Sequence, residues 1–201
     1  MSNFIEELVA EFYLTKGYFV TTNYWIPFQT KRKRTQKGIR QEYEAQSWTD
    51  IDVLAKGKNE LLIIQVKATI NQKEVAENIN QYYERVDQFL KDGNAPDGVT
   101  KIDWWTNNCN VKKIVVYEDK HSPPSYLKIL TDNGIETKYF GDYLSEILTY
   151  IEMKKGTKED SAVMRLLHFL KKQKILTTKI KEKQRNANIR SAASGLPGFG
   201  G

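Results

Sequence analysis

Two neighbouring segments in the middle of the chain carry an acid, an amide and a lysine at strand-like spacing. Residues 48–55 (WTDIDVLA) contain Asp52, and residues 61–68 (LLIIQVKA) contain Gln65 and Lys67. Side chains alternate between the two faces of a strand, so Gln65 and Lys67 point the same way. Both follow an apolar run that is typical of a buried strand, where an unpaired lysine is very costly. The spacing therefore predicts that Asp52 lies beside them on an adjacent strand.

This pattern resembles the PD-(D/E)XK nuclease superfamily, in which an Asp ends one strand and a (Glu/Gln)-x-Lys ends the next. The segment Gln65-Val66-Lys67 is similar to the Gln-x-Lys variant of Mrr-like restriction endonucleases. The resemblance implies a restriction-endonuclease-like fold, a metal-dependent endonuclease activity, and products that carry a 5′ phosphate. Gln65 departs from the commoner Glu, which leaves the implied metal site one negative charge poorer.

The start of the chain resembles the same superfamily. Residues 4–18 (FIEELVAEFYLTKGY) look like its first helix, which carries a Glu and ends in a Gly-aromatic pair, an opening shared with archaeal Holliday-junction resolvases. The matching acid is Glu6, which the resemblance implies would hold a second ion or a metal-bound water. Glu7 and Glu11 remain alternatives, because acids in a first helical turn also stabilise the helix dipole.

The residue types of the central cluster suit a hard divalent cation. The Asp52 carboxylate and the Gln65 amide oxygen are donors that Mg²⁺ accepts, and the Val66 carbonyl could add another. Such an ion polarises a phosphodiester and acidifies a bound water. Lys67 would orient or help to deprotonate that water and would stabilise developing negative charge. Asp50 shares a strand face with Asp52 and is a further candidate ligand, with a solvated edge position as an equal alternative.

The net charge of +6 is distributed unevenly along the chain. Residues 1–27 carry −2, residues 28–41 carry +6, residues 42–152 carry −7 and residues 153–201 carry +9. Basic segments around an acidic centre suit a polyanion that must reach metal-binding carboxylates. The alternative is a solvated loop and tail. The candidate nucleic-acid-binding residues in the first basic segment, predicted to be a loop, are Lys31, Arg32, Lys33, Arg34, Lys37 and Arg40.

Composition excludes several other classes of protein. A chain of 201 residues with 40% hydrophobic content can bury one core. It has no apolar run long enough to span a bilayer and an acidic start unlike a signal peptide, so we expect a cytoplasmic protein. Its single cysteine, Cys109, excludes an internal disulfide, and with only His121 and His168 the chain does not favour a tetrahedral zinc site.

Strands alternating with helices predict an α/β sandwich, and the resemblance implies a restriction-endonuclease-like α/β/α arrangement around a central mixed sheet. We expect a core over residues 1–155 and, over residues 156–201, a basic C-terminal helical extension with a flexible Gly-rich tail. The predicted helices span about residues 3–16, 71–90, 123–132, 142–153 and 160–174. The predicted strands span about residues 18–26, 43–55, 61–67, 111–117 and 135–140, the first of them ended by Pro27.

These observations predict a Mg²⁺-dependent DNA endonuclease, with Mn²⁺ as a substitute ion. RNA is left open as the substrate, and so is a homodimer, because two cuts need two active sites. The alternative function is a non-catalytic nucleic-acid-binding module on the same fold. Four further residues are weaker candidates for contacts with nucleic acid, and His168 is expected to be structural. The four are Trp104, Trp105, Gln81 and Tyr82.

Overall fold

The structure is a computed structural model that describes residues 4–36, 39–92, 109–153 and 161–173. The chain divides into two compact units, Met1–Phe140 and Gly141–Gly201. The predicted boundary after residue 155 lies outside the described residues and stays a prediction, as does the flexible tail. In chain order the described elements are α1 (Phe4–Thr15), β1 (Phe19–Gln36), β2 (Ile39–Lys56), β3 (Glu60–Lys67), α2 (Lys73–Asp92), β4 (Asn110–Tyr117), α3 (Pro124–Asp132), β5 (Ile135–Tyr139), α4 (Phe140–Met153) and α5 (Ala162–Lys172).

The five described strands form one mixed sheet in the order β1-β2-β3-β4-β5. The first three strands pair antiparallel, whereas β4 pairs parallel with both β3 and β5. Parallel neighbours need a crossover between them, and α2 and α3 lie in the two connections of the parallel half. The predicted mixed α/β fold is thereby confirmed, while its restriction-endonuclease-like arrangement stays a prediction.

Residues 28–36 and 39–41 of the basic segment belong to the long paired strands β1 and β2, so the prediction of a loop there was wrong. β1 continues past Pro27, which lies opposite Trp48, and the register extends to Gln36 opposite Ile39. A proline is tolerated here because β1 is the first strand of the sheet, and the missing N–H can face away from the ladder. A two-stranded ribbon has little apolar core on either face. Its sequence therefore lacks the alternation by which half-buried strands are recognised.

A hydrophobic core packs the sheet against α2 and α3. It includes Ile63 of β3, Val115 of β4, Leu130 of α3 and, from α2, Tyr83. The Tyr83 hydroxyl donates to the Ile114 carbonyl, 2.5 Å away, and lies 3.2 Å from that of Ile63. This contact fixes how α2 is rotated on β3 and β4. The run 61–64 is buried throughout, which confirms the prediction of a strand covered on both faces.

Helix α1 follows its predicted pattern. Its apolar stripe, which includes Leu8, Val9 and Phe12, is buried. The helix ends where the sequence predicts, since Gly17 adopts a left-handed φ of 84°, a conformation that glycine accepts without steric cost. The Gly17 N–H closes the last turn by donating to the Leu14 carbonyl at 3.0 Å.

The second unit contains α4 and α5. The Ser161 hydroxyl caps α5 by accepting the Met164 N–H at 3.2 Å. Near its other end the Lys171 ammonium donates to the Leu148 carbonyl of α4 at 3.1 Å. Both helices agree with their predicted spans to within about two residues, the usual uncertainty of helix ends. In the described part of the chain, no helix is long and apolar enough to cross a membrane.

Candidate functional site

Asp52 occupies an irregular point in the sheet. Across the β1–β2 ladder its neighbour is Asn23, which adopts a left-handed φ of 52°. On the other side, the β2–β3 register ends with Val53 opposite Ile64. Beyond that pair, the Asp52 carboxylate accepts the backbone N–H of Val66, with 2.6 Å between Oδ2 and N. The Asp52 carboxylate thus accepts a hydrogen bond that a backbone carbonyl of a paired strand would otherwise accept. This bond holds the carboxylate against β3.

The environment of Asp52 disfavours its ionised form. The residue is only 8% exposed. Burial raises the pKa of the Asp52 carboxyl from its ordinary 3.8 to about 6; the Val66 N–H and the charge of Lys67 lower the pKa, and the charges of Glu6 and Asp50 raise it. A poorly solvated carboxylate beside two other acids is one that a bound cation would stabilise.

Gln65 and Lys67 lie on a cleft between the middle of β2, the end of β3 and helix α2. Gln65 is buried and Lys67 is half-buried. Because Asp52 accepts the N–H of Val66, the residue between Gln65 and Lys67, the structure brings together the three residues that the sequence placed in one cluster. The cleft measures about 440 Å³ and is lined by Thr49, Asp50, Gln65, Lys67, Val75, Asn78, Ile79 and Tyr82.

Tyr82 contributes a buried hydroxyl to this cleft. The residue is 6% exposed, and its hydroxyl has no hydrogen-bond partner within the described part of the chain. Burial, followed by the charges of Asp52 and Asp50, raises the pKa of Tyr82 well above its usual range, so the group is a proton donor at neutral pH. Leaving such a hydroxyl unpaired costs about 1–3 kcal/mol. An oxygen of a bound ligand would satisfy it.

Among the three acids of α1, Glu6 is the one that acts on Asp52. It lies in the first helical turn, is half-buried, and its charge raises the pKa of Asp52. Glu7 and Glu11 are not among the charges that perturb Asp52. Of the three acids, the structure therefore favours Glu6 as the one near Asp52. Its role as a metal ligand stays a prediction.

The donors at this site fit a hard cation that takes few protein ligands. The Asp52 carboxylate, the Gln65 amide and the Val66 carbonyl lie on the adjacent strands β2 and β3, just beyond the last residue pair between them, Val53–Ile64. No cluster of three or more His, Cys, Asp and Glu side chains arranged to hold a metal occurs among the described residues. Mg²⁺ keeps several waters and commonly uses one or two carboxylates, so the available donors are compatible with it.

The predicted nucleic-acid-binding residues lie on the hairpin, away from the cleft lining. Lys31, Arg32, Lys33 and Arg34 are exposed side chains of β1. Lys37 lies outside the described residues, and Arg40 lies in β2 with its side chain outside them. The Lys33 ammonium pairs with Glu42 at 3.1 Å.

The other candidates have varied outcomes. Gln81 is exposed on α2 and does not line the cleft, whereas its neighbour Tyr82 does. His168 lies on α5, half-buried in the second unit. Trp104 and Trp105 lie outside the described residues.

Sequence reasoning missed four residues that line the cleft, of which two are polar, Thr49 and Asn78, and two are apolar, Val75 and Ile79. Asn78 precedes Tyr82 by four residues on α2, and residues four apart share a helix face, so helical periodicity could have found it. Thr49 has no such signal, because strand alternation within the predicted strand 43–55 places it on the face opposite Asp50 and Asp52.

Comparisons with known proteins add a remote structural similarity. No family model and no curated protein matches the chain. Among solved structures the chain is similar to the crystal structure of a protein of unknown function, AF1548, at 16% sequence identity and a TM-score of 0.44. The match covers 78% of this chain and 74% of that chain. We draw no functional conclusion from a similarity this remote.

Proposed function

We propose that this protein is a Mg²⁺-dependent endonuclease of restriction-endonuclease-like fold that hydrolyses phosphodiester bonds in DNA. The observation that carries the proposal is the buried Asp52 carboxylate, hydrogen-bonded to Val66 and electrostatically coupled to Lys67. Strongly perturbed acids beside a specific charged partner in a cleft are typical of functional sites. The resemblance of Asp52, Gln65 and Lys67 to the PD-(D/E)XK motif supports the same conclusion.

Each residue of the site has a distinct role in this proposal. Asp52, Gln65 and the Val66 carbonyl would hold the cation, and Glu6 would hold a second ion or a metal-bound water. When bound, Mg²⁺ or Mn²⁺ supplies Lewis acidity toward the phosphodiester and a more acidic water. Lys67 orients the attacking water and stabilises the negative charge that develops on the phosphoryl oxygens.

Tyr82 is assigned to the substrate rather than to the metal. Its hydroxyl is a donor, is buried beside the cleft and lacks a partner among the described residues. A phosphate oxygen is a strong acceptor, and hydrogen bonds to charged acceptors are roughly twice as strong as neutral ones. Tyr82 would therefore position the phosphodiester against the metal ligands.

A second candidate function is a non-catalytic nucleic-acid-binding module. It is favoured by the neutral Gln65 and by the lack of a three-acid cluster among the described residues, which together leave little negative charge for a metal. The presence of both Asp52 and Lys67 favours the nuclease, because a binding module needs neither group.

The test is incubation of the protein with supercoiled plasmid, linear duplex and a four-way DNA junction, in Mg²⁺ or in EDTA. We expect metal-dependent cleavage of at least one substrate by the wild-type chain. Asp52→Asn and Lys67→Ala should each abolish cleavage, the first by removing a metal ligand and the second by removing the group that orients water. Asp52→Asn should keep or increase DNA affinity, since a repulsive charge is removed.

Lys120→Ala is the matched control, because Lys120 is an exposed lysine outside the cleft lining. It should cleave at the wild-type rate. Full cleavage by both site variants in contaminant-free preparations would contradict the site. Binding of DNA without cleavage in either Mg²⁺ or Mn²⁺ would instead favour the binding module.

A further inference from the structure

The two faces of the β1–β2 hairpin differ in charge. Residues two apart on a strand share a face, and residues directly opposite each other on antiparallel strands also share it. One face thus carries Lys31 and Lys33 of β1 with Glu44 and Glu42 opposite them on β2. The Lys33–Glu42 ion pair, at 3.1 Å, lies on this face. Its two bases are balanced by two acids, and we call it the lysine face.

The other face carries arginines without opposing acids. Arg32 lies opposite Tyr43, and Arg34 lies opposite a glutamine in the register. Arg32 donates to the Ser47 hydroxyl at 3.1 Å, a diagonal contact across the strands that keeps its guanidinium on this face. None of the described side chains on this stretch is acidic. We call it the arginine face, and it comprises Phe28, Thr30, Arg32, Arg34, Tyr43, Ala45, Ser47 and Thr49.

Both faces of the hairpin reach the cleft, but at residues of different charge. The arginine face reaches it at the neutral Thr49, and the lysine face reaches it at the acidic Asp50. The Phe28 ring lies beneath the guanidinium of Arg85 from α2, with 4.4 Å from Cζ to the ring centroid, so α2 adds a third arginine to this side. From Thr49 to Tyr43 the face extends about 20 Å, at roughly 3.4 Å per residue.

We propose that the arginine face binds the phosphate backbone of duplex DNA as the duplex leaves the cleft, and that the lysine face does not. The proposal rests on the proposed function, which places the phosphodiester to be cleaved in the cleft. The proposal also rests on charge complementarity. Asp50 lines the cleft and Asp52 is buried near it, and their negative charges repel phosphate, so a bound duplex needs an adjoining cationic surface. Arginine suits this task because its guanidinium makes bidentate contacts with phosphate.

Protection of an exposed edge strand is the alternative explanation for the four bases of β1, but it does not explain how the charges are divided between the two faces. Exposed edge strands carry charged side chains that prevent pairing with other chains, and β1 is such a strand. That role is served equally by Lys31, Lys33, Arg32 and Arg34. It does not explain why acids oppose the lysines and why none opposes the arginines.

The experiment compares two double variants of the full chain, Arg32→Gln/Arg34→Gln and Lys31→Gln/Lys33→Gln. Each removes two positive charges from alternating positions of the same strand, so the change in net charge is identical. Binding of a fluorescein-labelled duplex of about 30 base pairs is measured by anisotropy in EDTA, which prevents cleavage, over a range of salt concentrations.

For the arginine variant we expect the dissociation constant to rise at least about tenfold, from the loss of two charge-assisted contacts. The slope of log K against log[salt] should become shallower by about two, since each phosphate contact contributes roughly 0.9. The lysine variant should keep the wild-type slope. Equal effects of the two variants, a larger effect of the lysine variant, or no binding by the wild-type chain would each overturn the proposal.

Failure of the proposed function has a different signature. If the wild-type chain binds duplex through the arginines but cleaves no substrate in Mg²⁺ or Mn²⁺, the arginine face stands and the nuclease does not. If plasmid cleavage depends on Asp52 while the two double variants bind alike, the nuclease stands and the arginine face does not. Circular dichroism of both variants establishes that the fold is retained.

Discussion

At the scale of single residues, Asp52 carries an electrostatic conflict. Its carboxylate is held against Val66 by a hydrogen bond, yet it is buried and lies near the charges of Glu6 and Asp50. Such a group weakens the fold in the absence of a cation and is retained where function requires it. Because the pKa of Asp52 is raised in the folded state, the folding stability depends on pH.

We expect the wild-type apoprotein to lose stability from Asp52 as the pH rises. The folded-state pKa of Asp52, about 6, exceeds its ordinary 3.8, so the folded state binds the proton more tightly. The loss of folding stability is absent below pH 3.8, grows between pH 3.8 and about 6, and is complete above about pH 6. Its full size is about 3 kcal/mol.

Asp52→Asn should therefore stabilise the apoprotein, because its amide oxygen can still accept the Val66 N–H without carrying charge. In denaturant unfolding, the gain over wild type should approach about 3 kcal/mol near pH 8 and fall below about 1 kcal/mol near pH 4. A gain that does not change with pH, or a loss of stability near pH 8, would show that the carboxylate is not under this strain.

Gln65 is the residue at which the site departs from the commoner carboxylate. Gln65→Glu should shift the Mg²⁺ dependence of cleavage to lower concentrations, because a divalent ion binds a carboxylate more strongly than an amide. Without metal the new charge would repel Asp52 and lower stability by about 1 kcal/mol. Mg²⁺ titrations of the cleavage rate measure the first effect, and thermal unfolding in EDTA measures the second.

Gln81→Glu is the matched control for Gln65→Glu, since Gln81 is exposed on α2 outside the cleft lining. It adds the same charge and should leave the Mg²⁺ midpoint unchanged. If both variants shift the midpoint equally, the effect arises from the overall charge of the protein and Gln65 is not a metal ligand.

At the scale of elements, the long hairpin does more than extend the sheet. Its inner part supplies Asp52 and Thr49 to the site, and its outer part supplies the arginine face. The irregularity at Asn23 lies between the regular stretches of β1, directly across the ladder from Asp52. The left-handed backbone at this position is compatible with Asn or Gly and unfavourable for a β-branched residue.

Asn23→Val should destabilise the protein by about 1–2 kcal/mol, because a β-branched side chain clashes with its own backbone at this φ. Asn23→Gly should change stability by less than about 0.5 kcal/mol, since glycine adopts the conformation freely. Thermal unfolding compares these variants with Thr22→Val, which places the same side chain at an adjacent strand position without positive φ. Equal losses from Asn23→Val and Thr22→Val would mean that the backbone at Asn23 is not constrained.

At the scale of the whole molecule, opposite charges are separated along the chain. The middle segment, residues 42–152, has a net negative charge and contains Asp50, Gln65 and Lys67 of the site, and the net positive charge lies in segments 28–41 and 153–201. A distribution of this kind steers a polyanion toward an acidic site that would otherwise repel it. The two basic segments should contribute separately to DNA affinity.

Removing residues 174–201 takes away six bases and one acid and lowers the net charge from +6 to +1. We expect weaker DNA binding at low salt and a shallower salt dependence, with an unchanged cleavage rate at saturating DNA. The cleft lies wholly in the first unit, so the chemistry does not need this segment. The control removes only residues 191–201, which carry no charge, and should bind like wild type. Loss of cleavage at saturating DNA would contradict this division of roles.

Local patterns in the sequence determined the elements that form a continuous core. The apolar run before Gln65 predicted the buried strand β3, and the apolar stripe and Gly17 predicted where α1 lies and ends. These signals depend on neighbouring residues and on burial, which leaves a readable period in the sequence. The alternation of Gln65 and Lys67, with Asp52 on the preceding strand, likewise follows from strand geometry.

Only the tertiary structure decided the features that depend on partners distant in sequence. The outer part of the hairpin, residues 28–36 and 39–42, is largely polar and was predicted to be a loop, because its strand structure depends on the hydrogen bonds that each strand supplies to the other. That Glu6, rather than Glu7 or Glu11, affects the pKa of Asp52 depends on how α1 packs against β2. The hydrogen bond from Val66 to Asp52 uses a backbone N–H that every residue except proline has, so no sequence pattern could reveal it.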